Sequence, residues 1–206
     1  MDIGLYNMKY PVRKLISGVL PLVKNVEPNT VSWLMLPVGL AVAAAYYGAP
    51  GAPALYWAGI GLTFLRMYLG TLDGLMAEHY KKGSAEGEIV NRIAPEFCDA
   101  MYMLALVFAH PEIPLEIRSL ALALAWLTTF AGLVGFTAKK PGQSVGPVGQ
   151  TDRLAALILL SLLQYFSAVN GWQVNFIAVF FYWCIGGGAI TVFLRLRRHL
   201  KTARSA

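Results

Sequence analysis

One stretch, from Gly70 to Asp99, organises this chain, and it reads GTLDGLMAEHYKKGSAEGEIVNRIAPEFCD. It begins inside one long apolar segment and ends inside the next, with a polar loop between them. A charged side chain at that depth in a membrane costs about 2.5–3.5 kcal/mol on insertion scales. Such side chains persist where they face the interior of a helix bundle or a wet cavity. This stretch is therefore the first candidate for a functional site.

The composition around this stretch is that of a membrane protein. Of the 206 residues, 57% are hydrophobic and 14% are charged, whereas soluble domains carry about 25% charged residues. The net charge is +6, but the basic residues lie near the chain ends and in two inner loops. That distribution indicates membrane topology and contact with membrane lipids, so we expect no nucleic-acid partner. The basic C-terminus fits a solvated cytoplasmic anchor better than a specific site for anionic lipid.

Apolar residues form six stretches that are candidates for membrane spans. They lie near Val31–Tyr47, Ala54–Leu72, Pro95–Ala109, Leu115–Thr137, Leu154–Val169 and Val174–Leu194. In lipid, runs this long and continuously apolar indicate helices, although the third and fifth are short unless they continue into polar flanks. We therefore predict an all-α integral membrane protein with a six-helix membrane domain over residues 28–198.

The two ends of the chain differ from this domain. Residues 1–27 place apolar side chains at near-helical spacing with lysine and arginine between them, which predicts an amphipathic helix in the membrane interface. Residues 199–206 form a basic tail. Both ends are basic, and so are the loop between the second and third predicted spans and the loop between the fourth and fifth. The other loops are neutral or acidic. Both termini and the Gly70–Asp99 stretch are therefore predicted to be cytoplasmic.

The central stretch resembles the signature of the CDP-alcohol phosphotransferases, integral membrane enzymes of phospholipid head-group synthesis. Their usual pattern is Asp-x2-Asp-Gly-x2-Ala-Arg-x8-Gly-x3-Asp-x3-Asp. The spacing is kept in this chain, and the matching residues are Asp73, Gly74, Ala77 and Gly87. Four positions are substituted, by Gly70, Glu78, Asn91 and Pro95. Asp99 fits a further acidic position that divergent branches of the family carry.

Two other elements agree with the resemblance. Pro28-Asn29-x-Val31-Ser32 is similar to the element ahead of the family's first membrane helix. Gly149-Gln-Thr-Asp152-Arg153 is similar to the entry into helix 5 of divergent members. The resemblance thus spans about residues 28–195, and it implies six helices with cytoplasmic termini.

The resemblance implies that a phosphatidyl-type group passes from a CDP-linked lipid to an alcohol, with release of CMP. Mg²⁺ or Mn²⁺ would neutralise the diphosphate, and hard cations of this kind take oxygen ligands. The implied metal ligands are Asp73, Asn91 and Asp99, and the implied acid–base candidates are Asp99 and Glu96. Residues expected to bind the CDP-linked substrate are Arg66, Gly74, Ala77, Gly87, Lys139, Lys140 and Arg153.

A second interpretation stays open, because Asp73 alone remains of the four family carboxylates. One carboxylate with Asn91 is a poor site for two divalent cations. The chain would then be a catalytically impaired protein of the same fold, acting as a structural or partner-binding subunit, in a homodimer or a larger membrane complex. Asp99 would in that case only pair with Arg66 across the bundle. Pro95 allows two conformations of the third predicted helix, which either starts at Pro95 or kinks there.

Overall fold

The computed structural model describes residue 13, residues 16–138 and residues 142–204. The described part contains helices and no strand, so the prediction of an all-α protein is confirmed. Its α-helices are α1 (Pro28–Gly48), α2 (Leu55–His79), α3 (Ala85–Ala109), α4 (Leu115–Leu133), α5 (Gln150–Asn170) and α6 (Phe176–Arg204). This part also contains two 3-10 helices, Ser17–Val23 and Val134–Ala138.

Four of these helices, α1, α4, α5 and α6, are long and apolar enough to cross a membrane by length and composition. Helices α2 and α3 have 25 residues each, about 37 Å at the usual rise per residue. They are too polar to meet the same criterion, since α2 carries Arg66 and Asp73 and α3 carries several acidic residues. The four apolar helices fit an integral membrane protein, and the count of six spans stays a prediction.

Helix α3 extends well beyond the apolar run that the sequence analysis assigned to it. It begins at Ala85 and passes through Pro95, so the alternative in which the helix starts at Pro95 is wrong. Ser84 stabilises the new start, because its Oγ accepts a hydrogen bond from the Gly87 amide at 3.0 Å. Glu86 and Glu88 lie in the first turn, where their negative charges interact favourably with the positive end of the helix dipole. Inside the helix, Pro95 has no N–H to donate to the carbonyl of Asn91.

The described residues form two compact units, one ending at Ala109 and one starting at His110. In the first, α1 packs against both α2 and α3, which touch each other little. Gly39 lets α1 and α3 approach, since a Cβ there would lie 2.6 Å from the Sγ of Cys98. Gly59 does the same for α2, since its Cβ would lie 2.9 Å from the ring of Tyr46. Two close approaches to one helix leave space between α2 and α3.

The segment ahead of α1 packs onto the end of α2. Ile16 and Leu20 are buried in one apolar cluster with residues of α1 and α2. The hydroxyl of Tyr80 donates to the carbonyl of Leu20 at 2.7 Å. Of the predicted amphipathic helix over residues 1–27, residues 1–12, 14 and 15 lie outside the described residues. The described part of it contains the 3-10 helix Ser17–Val23.

In the second unit, α6 packs against both α4 and α5. Two buried arginines tie α5 and α6 to α4. Arg153 donates to the carbonyl of Ala125 at 3.1 Å and to the hydroxyl of Thr128 at 2.9 Å. Arg195 donates to the carbonyl of Thr128 at 2.6 Å and to that of Val145 at 2.9 Å. A guanidinium has five N–H donors, so each arginine can bond more than one acceptor at once.

Candidate functional site

A cleft of about 480 Å³ lies in the first unit, where α1, α2 and α3 meet. Its lining includes Pro28, Asn29, Ser32, Asp73, Gly74, Ala77, Glu78, Lys82, Ser84, Gly87, Glu88 and Asn91. Five residues predicted from the sequence, Asp73, Gly74, Ala77, Gly87 and Asn91, are therefore brought together. Asp73 and Ala77 lie four residues apart on one face of α2, and Gly87 and Asn91 lie four residues apart on one face of α3, so both residues of each pair can line the same space.

Asp73 is the buried carboxylate of this cleft, and 2% of its surface is exposed. The hydroxyl of Ser32 donates to its Oδ2 at 2.6 Å. The amide of Gly74 donates to its Oδ1 at 2.6 Å. Hydrogen bonds to a carboxylate are stronger than those between neutral groups, so these two fix the orientation of the side chain. Helices α1 and α2 thus position Asp73 together.

Two of the glycines that line the cleft, Gly74 and Gly87, serve different purposes. At Gly87 a Cβ would lie 2.6 Å from the Oδ1 of Asn29, so a larger residue would have to displace the Asn29 side chain, which also lines the cleft. At Gly74 a Cβ would meet only the Nδ2 of Asn91, at an ordinary contact distance of 3.7 Å. Gly87 therefore leaves room for the side chain of Asn29, whereas Gly74 keeps part of the cleft open.

Asp99 and Arg66 do not line this cleft. They form a buried ion pair, in which the Nη2 of Arg66 lies 3.0 Å from the Oδ1 of Asp99. The same Nη2 donates to the carbonyl of Pro95 at 2.7 Å. Arg66 is 5% exposed and Asp99 1% exposed. The pairing of these two residues across the bundle, which the second interpretation predicted, is present.

The remaining predicted site residues are placed elsewhere or lie outside the described part. Glu96 is partly exposed on α3 and does not line the cleft. Arg153 belongs to the second unit, where it is 1% exposed and bonded to α4. Lys139 and Lys140 lie outside the described residues. The cleft thus gathers the small residues of the motif and one of its acids, and it leaves Asp99, Glu96 and Arg66 aside.

Sequence reasoning missed several residues of the cleft. Ser32 was noted only as part of an N-terminal element, yet it is bonded to Asp73. Lys82 lines the cleft as well. Lys82 pairs with Glu27 at 2.8 Å. The part of the family signature that falls on α2 ends at position 78. It specifies no residue in the loop that follows, so it could not indicate Lys82.

The donors in the cleft fit a single hard cation and not a pair. Apart from Asp73, they are the carboxylates of Glu78 and Glu88, each of which is paired with an arginine, and amide and hydroxyl oxygens from residues such as Asn29, Ser32 and Asn91. Across the described ranges, no group of three or more His, Cys, Asp or Glu side chains is placed to hold a metal ion. Oxygen donors suit Mg²⁺ or Mn²⁺. Two such ions would need further unpaired carboxylates, and Glu78 and Glu88 are already paired with arginines.

Comparison with known proteins gives one sequence relative. No family model matches the chain. The inner membrane protein YnbA of Escherichia coli (strain K12) is 32% identical over 90 residues, which are 44% of this chain and 44% of YnbA. The match therefore covers less than half the length of either protein.

Solved structures match much more of the chain. The crystal structure of Mycobacterium tuberculosis phosphatidylinositol phosphate synthase (PgsA1) with CDP-DAG bound matches with a TM-score of 0.70 and 15% identity, over 91% of this chain and 92% of that one. The same synthase in complex with manganese and citrate matches with a TM-score of 0.72 and 15% identity, over 91% and 88%. The chain therefore has the fold of phosphatidylinositol phosphate synthase, a CDP-alcohol phosphotransferase, and the resemblance predicted from its motif is confirmed at the level of the fold.

Proposed function

We propose that this protein binds a CDP-linked lipid in the cleft around Asp73 and transfers the lipid's substituted phosphate group to an alcohol, releasing CMP. One observation carries the proposal. Motif residues that lie far apart in the sequence, from Asn29 through Asp73 to Asn91, line a single cleft. The fold supports it, since a structural neighbour was crystallised with CDP-DAG bound.

The cleft suits the cytidine and diphosphate parts of such a substrate. Gly74 and Ala77 leave the backbone of α2 open to close approach. The side chains of Asn29 and Asn91 offer amide donors and acceptors for a base or a sugar. In the proposed topology α2 and α3 also span the membrane and both termini face the cytoplasm, so the cleft opens on the cytoplasmic side.

In the proposed reaction, the hydroxyl oxygen of the alcohol forms a bond to the phosphorus that carries the lipid. The bond from this phosphorus to the oxygen of CMP breaks, and CMP leaves with that oxygen. A Mg²⁺ or Mn²⁺ ion held by Asp73 and Asn91 would neutralise part of the diphosphate charge. The hydroxyl proton passes to a carboxylate. The motif implies Asp99 or Glu96, and either would have to leave its present position outside the cleft to accept the proton.

A specific observation favours a second candidate function, in which the protein binds the CDP-linked lipid and performs no transfer. The carboxylate of Asp99 is held by Arg66 outside the cleft, and Glu96 does not line the cleft either. In this case the chain is a binding subunit of a membrane complex. The proposed oligomers, a homodimer or a larger complex, suit this function equally well.

The experiment measures substrate binding and CMP release separately on the purified chain in lipid nanodiscs. CDP-diacylglycerol is offered with a panel of alcohols and with Mn²⁺ or Mg²⁺. We expect binding and CMP release by the wild type and loss of both in Asp73→Ala. The exposed carboxylate Glu116, changed to Gln, is the matched control.

The outcomes separate the two candidates. Binding without CMP release, for every alcohol tested, would replace the enzyme by the binding protein. Absence of binding to the wild type would refute both. Release that survives in Asp73→Ala at the level of the Glu116→Gln control would show that the cleft is not the site of transfer.

A further inference from the structure

The charges that line the cleft pose a problem for the substrate proposed above. Glu78, Glu88 and Asp73 contribute carboxylates, and among the described residues that line the cleft Lys82 is the one cation. A diphosphate is itself an anion, so three carboxylates without compensation would repel it. The inference below rests on the proposed function and explains how this cleft accepts a diphosphate.

Ion pairs surround the cleft and neutralise its outer carboxylates. The Nη2 of Arg13 is bonded to the Oε2 of Glu78. Glu88 pairs with Arg92 at 2.8 Å. Neither arginine is part of the cleft lining. Each outer glutamate is therefore paired with an arginine that does not itself line the cleft.

Lys82 is placed differently, because it is itself one of the residues that line the cleft. Its Nζ lies 2.8 Å from the Oε1 of Glu27, in a partly exposed pair. An ammonium group has three donors, so contact with Glu27 leaves others for a second acceptor. Ion pairs exposed to solvent are weak, and a phosphate oxygen forms a charge-assisted hydrogen bond that competes with them.

We propose that Lys82 binds the diphosphate of the CDP-linked lipid, and that Arg13 acts as a positioning residue through Glu78. By pairing with Glu78, Arg13 cancels a negative charge that would otherwise repel the diphosphate. Lys82, in the α2–α3 loop, thus supplies the positive charge that contacts the diphosphate. Arg13, in the segment ahead of α1, supplies the positive charge that neutralises Glu78.

Packing holds this segment in place independently of its charges. Ile16 and Leu20 are buried against α1 and α2, and Tyr80 donates to the carbonyl of Leu20. Removing one charge from Arg13 or Lys82 therefore leaves the apolar anchor intact. The variants should fold, and their effects should appear in binding of charged ligands only.

The test compares the binding of CDP and of cytidine by the purified full chain. These ligands differ by the diphosphate alone. Lys82→Gln is expected to weaken CDP binding about tenfold, as loss of a charged hydrogen bond does, and to leave cytidine binding unchanged. Lys81→Gln is the matched control, because Lys81 is the neighbouring lysine, is exposed and does not line the cleft.

The role of Arg13 is tested by rescue. Arg13→Gln should weaken CDP binding several-fold, since it exposes the charge of Glu78. Glu78→Gln should bind CDP at least as well as the wild type. The double variant Arg13→Gln/Glu78→Gln should recover wild-type binding, which a purely structural ion pair would not predict.

Three results would overturn the inference. CDP binding by Lys82→Gln that equals binding by Lys81→Gln removes the role of Lys82. A double variant as weak as Arg13→Gln removes the role of Arg13. If the wild type binds neither CDP nor cytidine, the proposed function fails and this inference fails with it.

Discussion

The buried ion pair of Arg66 and Asp99 gives the sharpest prediction about stability. Asp99→Ala would leave the guanidinium of Arg66, which is 5% exposed, with the carbonyl of Pro95 but without its carboxylate. Removing one partner of a buried pair costs about 3–5 kcal/mol, because an uncompensated charge stays buried. Replacing both partners by apolar residues of similar size is often neutral. Asp99→Ala should therefore be strongly destabilised, and Arg66→Met/Asp99→Leu should be close to the wild type.

Thermal unfolding of the purified variants in one detergent measures both effects. CDP-diacylglycerol binding by the double variant is measured alongside it. We expect wild-type binding, because neither residue lines the cleft. A double variant as unstable as Asp99→Ala would refute the account of the pair. Stable protein without binding would show that the two residues belong to the substrate site.

Two further predictions concern packing and pH. Gly39→Ala should lower the free energy of unfolding by about 1–3 kcal/mol through overpacking, since its Cβ would lie 2.6 Å from the Sγ of Cys98. Gly61→Ala is the control and should cost nothing, because a Cβ there has no atom within 4 Å. Thermal unfolding of the two variants checks this. Burial raises the pKa of Glu112, but hydrogen bonds to His110 and to other donors outweigh it and hold that pKa below its usual value. The resulting stability should be complete above the usual glutamate pKa of about 4.3 and lost as pH falls below it, so the wild type should lose more stability between about pH 5 and 3 than Glu112→Gln. Equal losses in both proteins would contradict this assignment.

Hydropathy located the described helices but not all of their ends. The start predicted at Leu115 matches α4, because an apolar run begins there. The start predicted at Pro95 missed α3, which begins at Ala85, because Ser84 caps a polar turn that no hydropathy pattern reveals. Apolar runs report which residues lipid can surround, whereas caps and backbone hydrogen bonds decide where a helix ends.

The motif correctly predicted cleft residues that lie four apart on the same helix. Asp73 and Ala77 lie four residues apart on α2, and Gly87 and Asn91 on α3, and all four line the cleft. Asp99 was ambiguous for a physical reason. A buried carboxylate in an apolar segment is expected both in an active site and in an ion pair. Its partner, Arg66, was visible in the sequence as an alternative but not as a contact.

The charges at the rim of the cleft could not be derived from the sequence. Arg13 and Glu78 are 65 residues apart, and Glu27 and Lys82 are 55 residues apart. No periodic pattern connects residues at such separations, so only the folded chain shows that they meet. These contacts explain how a cleft that has Glu78 at the family's arginine position keeps its balance of charge.

The central claim is that the cleft around Asp73 binds a CDP-linked lipid. Gly74→Leu tests it most directly, because Gly74 lines the cleft and a Cβ there meets only Asn91 at an ordinary contact distance, so we expect the longer side chain to occupy the cleft. Gly61→Leu places the same side chain on the open side of α2. We expect titration with CDP-diacylglycerol to show no binding by folded Gly74→Leu and wild-type binding by Gly61→Leu. Wild-type affinity in Gly74→Leu would contradict the account.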